Sequence, residues 1–364
     1  MQFFDLDSQF KKIEKDLKSR FEAIFNHKQF INGPEVAILE ETLAKYVGVN
    51  HCITTANGSD SLFLSLMALG LTEGDEVITS PFTYVATAEM IRLIGAVPVF
   101  VDIDENTFNI DPNKIEAKIN KNTKGILPVS IFGQCAELDK IAAIANKYEL
   151  FVIEDGAQSF GATLNGKKSC SFGDIGCTSF FPTKPLGCYG DGGAIFTNNE
   201  QLGNLIRSLK NHGQTSKNNF KHLGINSRLD SLQAAVLLEK IKTFDHEIER
   251  RQTHANRYAE LFKTKNEILQ PPVVMKNSLS VWAQYTIKTR RRDAMIQELI
   301  KNDIPYAIYY EKPLYNYSPY HNKSIKVDCP ITEEVCNQVL SLPIHPWIEA
   351  SDQDRVANTI NALL

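Results

Sequence analysis

The 364-residue sequence lacks the marks of several protein classes. No apolar run approaches the roughly 18 residues that a membrane-spanning helix needs. No charge of one sign dominates, because 39 Lys and Arg stand against 43 Asp and Glu, which is not the balance of a nucleic-acid-binding surface or a polybasic membrane patch. The N-terminal stretch has no basic start followed by an unbroken apolar segment, as a secretory signal would. These absences predict a cytoplasmic protein with no nucleic-acid or membrane partner.

Cysteine is too scattered to predict a disulfide framework. The sequence has seven cysteines, an odd number, and no CxxC pair, so neither a set of disulfides nor a zinc site is indicated. The eight histidines show no HExxH or other ligand spacing, and we expect reduced thiols and no metal ion. The cysteines are Cys52, Cys135, Cys170, Cys177, Cys188, Cys329 and Cys336.

What is present is typical of a globular chain, with 43% hydrophobic and 23% charged residues and length for about two domains. Strand-like runs alternate with helical stretches, which predicts an α/β fold with a mostly parallel sheet covered on both faces. The predicted strands are His51–Thr55, Glu76–Ser80, Val97–Val101, Gly125–Ile131, Leu150–Glu154, Ile175–Phe181 and Gly193–Thr197. The predicted helices of this part are 7–26, 35–46, 59–69, 84–95, 112–120 and 137–148.

The pattern changes near residue 256 to strands and helices in α+β order. A helical pattern from Ser231 to about Arg251 is long enough to bridge two domains. A strand over Tyr285–Thr289 and helices over 294–302 and 352–364 follow it. We therefore predict a large domain over residues 1–250 and a smaller C-terminal domain over residues 251–364.

An acid at the end of a buried strand is the first candidate for chemistry. Asp155 follows the apolar run of residues 150–153 and Glu154. Ligands of open α/β sheets bind beyond the carboxyl ends of the strands, where such an acid could meet a cofactor. Taken alone, an acid at this place is more often a turn former or a helix cap.

A lysine 29 residues further on, Lys184, is the second candidate. It stands between a strand rich in aromatic residues and the glycine-dense segment Gly190–Gly193. The spacing allows a hairpin and a return strand to bring Lys184 and Asp155 to one pocket, and glycines permit close backbone approach. A partly desolvated amine in such a place is the kind that forms Schiff bases.

The third candidate is the passage from a strand into a helix at Gly58 and Ser59. A helix N-terminus offers unpaired N–H groups and the positive end of the helix dipole, which suit a phosphate, although an ordinary helix cap is the plain alternative. A lysine for an aldehyde, a carboxylate for a pyridinium nitrogen and a helix N-terminus for a phosphate are together what pyridoxal 5′-phosphate requires.

Over essentially its whole length the chain also resembles the DegT/DnrJ/EryC1/StrS family of nucleotide-sugar aminotransferases. The resemblance implies the aspartate-aminotransferase architecture (pyridoxal-phosphate fold type I), pyridoxal 5′-phosphate as cofactor, and a homodimer with a shared active site. It is carried by Gly33–Val36, Pro81–Ala88, Gly95–Asp102, Glu154–Gln158, the Lys184 segment, His212-Gly213 and Asn226–Ala235.

The resemblance further implies a role for each matching residue. Lys184 forms the Schiff base with the cofactor and carries the proton between the amino donor and the cofactor. Asp155 pairs with the pyridinium nitrogen, Gln158 lies near the ring hydroxyl, and Tyr84 stacks on the ring. The phosphate is held by Gly58, Ser59 and Ser179, and by Asn226 of the neighbouring subunit.

The run over residues 176–193 is similar to the branch of the family that acts on UDP-2-acetamido-2-deoxy-3-keto-hexuronic acid. That branch uses L-glutamate, releases 2-oxoglutarate, and supplies sugars for surface polysaccharide such as lipopolysaccharide O-antigen. Arg228 would suit a uronate carboxylate or a UDP phosphate, an inter-subunit salt bridge being the alternative. Tyr309 and Tyr310 match the family's sugar-contacting segment.

Other readings stay open on particular residues. Relatives often carry His where Tyr309 and Tyr315 stand, so the acceptor could instead be a 4-keto-6-deoxy UDP-sugar or a dTDP-3-keto-6-deoxy sugar. A sugar dehydratase of the family would have histidine in place of Lys184. A regulator that only senses the cofactor would carry an added DNA-binding segment and a basic face, for which the sequence gives no sign.

Overall fold

A seven-stranded sheet forms the centre of the computed structural model, which describes residues 1–262, 268–320 and 327–364. The strands are β1 (His51–Thr55), β2 (Glu76–Thr79), β3 (Val97–Phe100), β4 (Thr123–Leu127), β5 (Phe151–Asp155), β6 (Ile175–Ser179) and β7 (Gly193–Thr197). They lie in the order β1-β7-β6-β5-β4-β2-β3. Only β7 runs antiparallel to its neighbours in this sheet, so the prediction of a mostly parallel sheet is confirmed.

Helices cover the sheet because parallel strands are apolar on both faces and must be buried on both. The α-helices are α1 (Leu6–His27), α2 (Pro34–Val47), α3 (Gly58–Ala68), α4 (Ala86–Leu93), α5 (Leu138–Lys147), α6 (Glu200–Leu209), α7 (Ser231–Lys240), α8 (Phe244–Leu261), α9 (Arg292–Lys301), α10 (Pro330–Gln338) and α11 (Ala350–Asn361). Over the described residues, no helix has the length and apolar character needed to cross a membrane.

Local sequence sets several helix ends. The carboxylate of Asp5 accepts a hydrogen bond of 2.9 Å from the Ser8 N–H and so caps α1. Pro34 opens α2, where its fixed φ suits the first turn. Gly48 ends that helix at φ 85°, a left-handed conformation that glycine adopts without strain.

The C-terminal part has its own small sheet and apolar core. Tyr285–Thr289 pairs antiparallel with both Leu269–Gln270 and Val339–Leu342. Around it, α8, α9 and α11 bury an aromatic and aliphatic cluster that includes Tyr258 and Tyr285, whose ring centroids lie 4.9 Å apart.

Shorter elements complete the fold. A hairpin turns at Asn165-Gly166 and pairs Thr163–Leu164 with Lys167–Lys168. Other two- and three-residue strands are Gln214–Ser216, Asn219–Phe220 and Ser278–Leu279. The 3₁₀ turns are Pro112–Lys114, Glu116–Lys118, Ile131–Gly133, Ile241–Thr243, Leu314–Asn316 and Ser318–Tyr320.

Two sequence predictions are wrong. Residues 112–120 do not form a helix but the two 3₁₀ turns named above, since the buried apolar residues there are Pro112 and Ile115, which give no apolar stripe for a longer helix. The helix predicted to run from Ser231 to Arg251 ends at Lys240, and α8 continues to Leu261. The division at residues 250 and 251 stays a prediction.

Candidate active site

A cavity of about 430 Å³ opens at the carboxyl ends of β5 and β6. This volume is in the range of small-molecule sites. It is lined by the predicted site residues Gly58, Ser59, Tyr84, Asp155, Gln158, Ser179, Lys184, Tyr309 and Tyr310. Asn226 and Arg228 are not among the described residues that line it. The fold thus brings together groups from five separate parts of the chain.

Asp155 is the last residue of β5 and is 7% exposed. Its carboxylate accepts a hydrogen bond of 2.8 Å from the Thr87 hydroxyl and one of 3.2 Å from the Ala157 N–H. Burial raises the pKa of Asp155, and these two hydrogen bonds and the nearby charge of Lys184 oppose the rise. A buried carboxylate held by only two donors is well placed to pair with a cation in the cavity.

Glu154 precedes Asp155 but serves the core. Side chains alternate across a strand, so the two carboxylates point to opposite faces. The Glu154 carboxylate is fully buried and accepts hydrogen bonds of 2.7 Å each from the Ser130 hydroxyl, the Ser169 hydroxyl and the Cys170 N–H. These donors join the segments around β5 without reaching the cavity.

Lys184 lies on the loop that follows β6, and its amine reaches the cavity. Its backbone N–H donates to the Phe181 carbonyl at 2.9 Å, which makes a tight turn at the lysine. Burial lowers the pKa of the Lys184 amine, and the Asp155 carboxylate opposes that shift. A lower pKa leaves more of the amine neutral, as a nucleophile requires.

The N-terminus of α3 closes one side of the cavity. Asn57 caps it by accepting a hydrogen bond of 2.8 Å from the Asp60 N–H, which leaves the first N–H groups of the helix, at Gly58 and Ser59, without an intrahelical partner. A Cβ on Gly58 would lie 2.7 Å from the Cβ of Ser179. Only glycine allows the helix to approach Ser179 this closely, so these residues form a cradle that suits a phosphate.

Gln158 fixes a tyrosine that lines the cavity. Its side-chain carbonyl accepts from the Phe132 N–H at 2.9 Å, and its amide donates to the Tyr310 hydroxyl at 3.0 Å. Tyr310 also packs edge-on against Phe82, with ring centroids 5.6 Å apart. Burial raises the pKa of the Tyr310 hydroxyl, which therefore stays protonated at neutral pH.

The other predicted residues divide into two groups. Tyr84 is 60% exposed and lines the cavity at an open side, together with the half-buried Tyr309. Asn226 is exposed, and the guanidinium of Arg228 donates to the Asn211 side chain at 3.2 Å. Tyr315 is buried and donates to the Glu333 carboxylate at 3.0 Å, so its side chain has a structural partner.

Sequence reasoning missed the residue that orients Asp155. Thr87, in α4, donates to the Asp155 carboxylate and lies 3.1 Å from the hydroxyl oxygen of Thr83. Both threonines stand inside the Pro81–Ala88 segment that carried the family resemblance, which was the available signal. Within the described ranges, no group of three or more His, Cys, Asp or Glu side chains is arranged to hold a metal ion.

Comparison with known proteins decides the family. The model of the DegT/DnrJ/EryC1/StrS aminotransferase family matches residues 11–361. The chain belongs to this family. A relative in the family, the UDP-2-acetamido-2-deoxy-3-oxo-D-glucuronate aminotransferase of Pseudomonas aeruginosa, is 46% identical over 96% of this chain and 97% of its own length.

Solved structures of the family agree with the fold. A DegT/DnrJ/EryC1/StrS aminotransferase from Brucella abortus superposes with a TM-score of 0.96 at 40% identity, covering 100% of this chain and 99% of that one. NtdA from Bacillus subtilis, solved with bound PMP, gives a TM-score of 0.91 at 32% identity, covering 99% and 83%. The predicted fold type I architecture is confirmed.

The residues present fit pyridoxal 5′-phosphate, the cofactor of this aminotransferase family. The decisive observation is the cradle at Gly58 and Ser179, which a single added Cβ would fill. Ser59 would join them in holding the phosphate, Asp155 would face the ring nitrogen and Lys184 would take the aldehyde. The protein is an aminotransferase that uses this cofactor.

Proposed function

We propose that this aminotransferase moves an amino group from L-glutamate to C3 of UDP-2-acetamido-2-deoxy-3-keto-hexuronic acid. The observation that carries the reaction class is the meeting of the Lys184 amine, the buried Asp155 carboxylate and the α3 N-terminus in one cavity. The acceptor is proposed because the P. aeruginosa enzyme named for this reaction is 46% identical over nearly the full length.

Lys184 is the proton carrier of the proposed reaction. Its lowered pKa leaves it able to attack an aldehyde and to accept a proton, and it is close enough to Asp155 for their charges to interact. When bound, the cofactor would supply a sink for the electron pair left on the carbon that loses its proton. Asp155, oriented by Thr87, would keep the ring nitrogen protonated so that this sink is effective.

The acceptor is proposed to bind on the tyrosine side of the cavity. Tyr309 and Tyr310 line that wall, and the hydrogen bond from Gln158 holds Tyr310 in place. We propose that Gln158 both holds Tyr310 for the acceptor and lies near the hydroxyl of the cofactor ring. Tyr84, at the open side of the cavity, stacks on that ring.

We propose a homodimer in which Asn226 and Arg228 serve the neighbouring subunit's site. The support is their position. They flank Ser227, whose hydroxyl accepts a hydrogen bond of 3.0 Å from the Ala56 N–H beside the cradle, yet neither lines the cavity of its own chain. In this role Asn226 reaches the phosphate, and the guanidinium of Arg228 binds the uronate carboxylate or a UDP phosphate.

We also propose that the enzyme acts in the cytoplasm. All seven cysteines are buried free thiols, which agrees with a reducing compartment. A nucleotide sugar and glutamate are substrates of that same compartment.

A half-reaction screen tests the substrate. The protein is loaded with pyridoxamine phosphate and offered UDP- and dTDP-linked 3-keto and 4-keto sugars, while the return of visible absorbance is followed. We expect return with the UDP-3-keto-uronate and at least tenfold slower return with neutral sugars, because only the uronate carries the carboxylate that Arg228 would bind. Return only with a 4-keto-6-deoxy sugar or a dTDP-3-keto sugar would replace the proposed acceptor.

The reaction class has its own test. Lys184→Ala is expected to lose about three orders of magnitude or more in kcat, because the nucleophile and the proton carrier are removed together. The exposed Lys121→Ala serves as the matched control and should keep full activity. Substantial glutamate-dependent turnover by Lys184→Ala would overturn the class itself.

A further inference from the structure

The loop that carries Lys184 is closed on itself at its base. The Phe180 N–H donates to the Gly192 carbonyl at 2.8 Å, and the Cys188 N–H donates to the Phe180 carbonyl at 2.7 Å. We name residues 181–187, which lie between these contacts, the lysine loop. These two hydrogen bonds hold the ends of the lysine loop together.

Gly187 is where the two ends touch. A Cβ at this position would lie 2.5 Å from the Phe181 carbonyl oxygen and 2.6 Å from that of Pro182. The backbone of Gly187 is therefore packed against the first turn of the lysine loop without any space between them. A shift of the Gly187 peptide must move the turn that presents Lys184.

Lys240, the last residue of α7, holds this peptide. It is 2% exposed, and its amine donates a hydrogen bond to the Gly187 carbonyl. The same amine lies 5.2 Å from the centroid of the Tyr189 ring. Two turns earlier in the same helix, Gln233 accepts a hydrogen bond of 2.9 Å from the Tyr189 N–H, so α7 contacts the base of the lysine loop twice.

The charges around Lys240 show that its amine is not there to complete an ordinary ion pair. Glu247 of α8 attracts it from a distance, while the Glu247 carboxylate itself accepts from Gln9 at 3.2 Å and from Thr243 at 3.2 Å. Arg251, also on α8, repels it. Burial lowers the pKa of Lys240 to about 8. A buried amine on such terms is costly, and an apolar side chain of similar size is often no less stable.

We propose that Lys240 is a positioning residue for Lys184, acting through the Gly187 carbonyl to fix the height and tilt of the lysine loop. The inference rests on the proposed function in one respect, that Lys184 is the reacting amine. The inference is that one hydrogen bond and one closely packed glycine couple the end of α7 to the position of Lys184 in the cavity. A misplacement of about 1 Å at a reacting group can cost roughly a hundredfold in rate.

Chemical labelling of Lys184 tests the link without any turnover. Full-length protein freed of cofactor is labelled with acetic anhydride over a range of pH, and modification at Lys184 is read by mass spectrometry. In Lys240→Met we expect the midpoint of Lys184 labelling to rise by about 0.5–1 pH unit, because burial lowers the pKa of the Lys184 amine and a released loop is better hydrated. With cofactor restored, kcat should fall about 10–100-fold with a smaller change in KM.

Lys210→Met is the matched control. Lys210 is also buried, at 7% exposed, and also donates to a backbone carbonyl, that of Thr54 at 2.6 Å, but this carbonyl is in β1. We expect a lower Tm and an unchanged midpoint of Lys184 labelling. If Lys240→Met does not yield folded protein, Lys240→Gln, with a polar end group, is used in the same assay and should move the midpoint in the same direction.

Two results would overturn the inference. One is a wild-type labelling midpoint in the folded Lys240 variant. The other is an equal rise in the Lys210 control, which would assign the effect to general loosening. Neither result touches the proposed function, whose reaction class is tested by Lys184→Ala and whose acceptor is tested by the half-reaction screen.

Discussion

At the scale of single residues, the site holds a carboxylate in surroundings that disfavour its charge. Asp155 is buried with two hydrogen-bond donors, and its pKa is raised. A carboxyl whose pKa is higher in the folded protein than in the unfolded chain adds stability below its unfolded pKa and loses it as pH rises through its folded pKa. Without cofactor, the ionised Asp155 therefore lowers the free energy of unfolding at neutral pH.

Asp155→Asn should therefore stabilise the cofactor-free protein at neutral pH. We expect the cofactor-free variant to melt roughly 1–3 °C above the wild type at pH 7 and to lose that advantage near pH 4. The new amide can donate to the Thr87 hydroxyl, which is free to donate to Thr83 in turn. Cofactor affinity should fall at least tenfold, since the ring nitrogen loses its charged partner.

Calorimetry with and without cofactor over this pH range checks both halves. A Tm gain of the same size at pH 4 would show that ionisation of Asp155 is not its cause. Thr87→Val makes a useful companion, because it leaves the carboxylate in place and removes one of its donors.

Residue types showed where Asp155 and Lys184 belong, but not what surrounds them. An acid at a strand end and a lysine before a glycine-dense segment are visible in the sequence. The Thr87 hydrogen bond is not, because it joins α4 to the end of β5 across 68 positions of chain. Tyr315 illustrates the same limit, since only the structure shows that its hydroxyl is taken by Glu333.

At the scale of elements, the N-terminus of α3 is the feature that requires the closest packing. Its first residue, Gly58, touches Ser179 at the end of β6, so a helix start and a strand end share one small volume. Five of the seven strands were predicted to within one residue at each end, because burial on both faces leaves a plain pattern. The strand predicted over residues 125–131 instead lies at Thr123–Leu127, and the one predicted over residues 175–181 ends at Ser179. The close contact between the start of α3 and the end of β6 leaves no such pattern in the sequence.

Gly58→Ala should damage the cradle more than the fold. The added methyl would lie 2.7 Å from the Ser179 Cβ and 3.2 Å from its hydroxyl oxygen, so helix and strand must part by a few tenths of an ångström. We expect cofactor affinity to fall about 10–100-fold, or about 1.4–2.8 kcal/mol, as measured by titration with pyridoxal phosphate.

Gly203→Ala, inside α6, is the matched change. The nearest atom to its added methyl is the Cγ of His51 at 3.3 Å, and alanine is the better helix former. Its cofactor affinity should equal that of the wild type. Equal losses in both variants would remove the cradle from the explanation.

The elements that sequence patterns did not predict share a cause. The break between α7 and α8 lets Phe244 pack against Phe160, with ring centroids 6.0 Å apart. That contact belongs to the tertiary structure, and helix propensity alone continues through it. The 3₁₀ turns over residues 112–118 likewise follow from how few of their side chains find a core to enter.

At the scale of the whole molecule, the proposed homodimer predicts that Asn226 serves the site of the neighbouring subunit. A mixing experiment tests this. Lys184→Ala and Asn226→Ala are each purified, found impaired, and then combined under conditions that exchange subunits. If Asn226 serves the partner, half of the dimers are mixed and each holds one complete site, so activity should recover to about a quarter of wild type.

Recovery requires residues from both chains in one site, so its size is informative. Recovery no greater than the sum of the two separate variants would place Asn226 in its own chain's site or outside any site. Lys184→Ala mixed with wild type shows whether mixing itself impairs complete sites, and should only dilute the wild-type activity.

The cavity wall has two origins, and this has a consequence for how such enzymes diverge. The groups that suit the cofactor stand at the ends of β5 and β6 and at the start of α3, whereas Tyr309 and Tyr310 come from a segment more than a hundred positions later. With the acceptor bound on the later segment, as proposed above, a lineage could exchange one sugar acceptor for another by substitutions in that segment while the catalytic residues stay unchanged. Tyr310 is hydrogen-bonded to Gln158, so we expect it to tolerate substitution poorly. We expect Tyr309 to be substituted first.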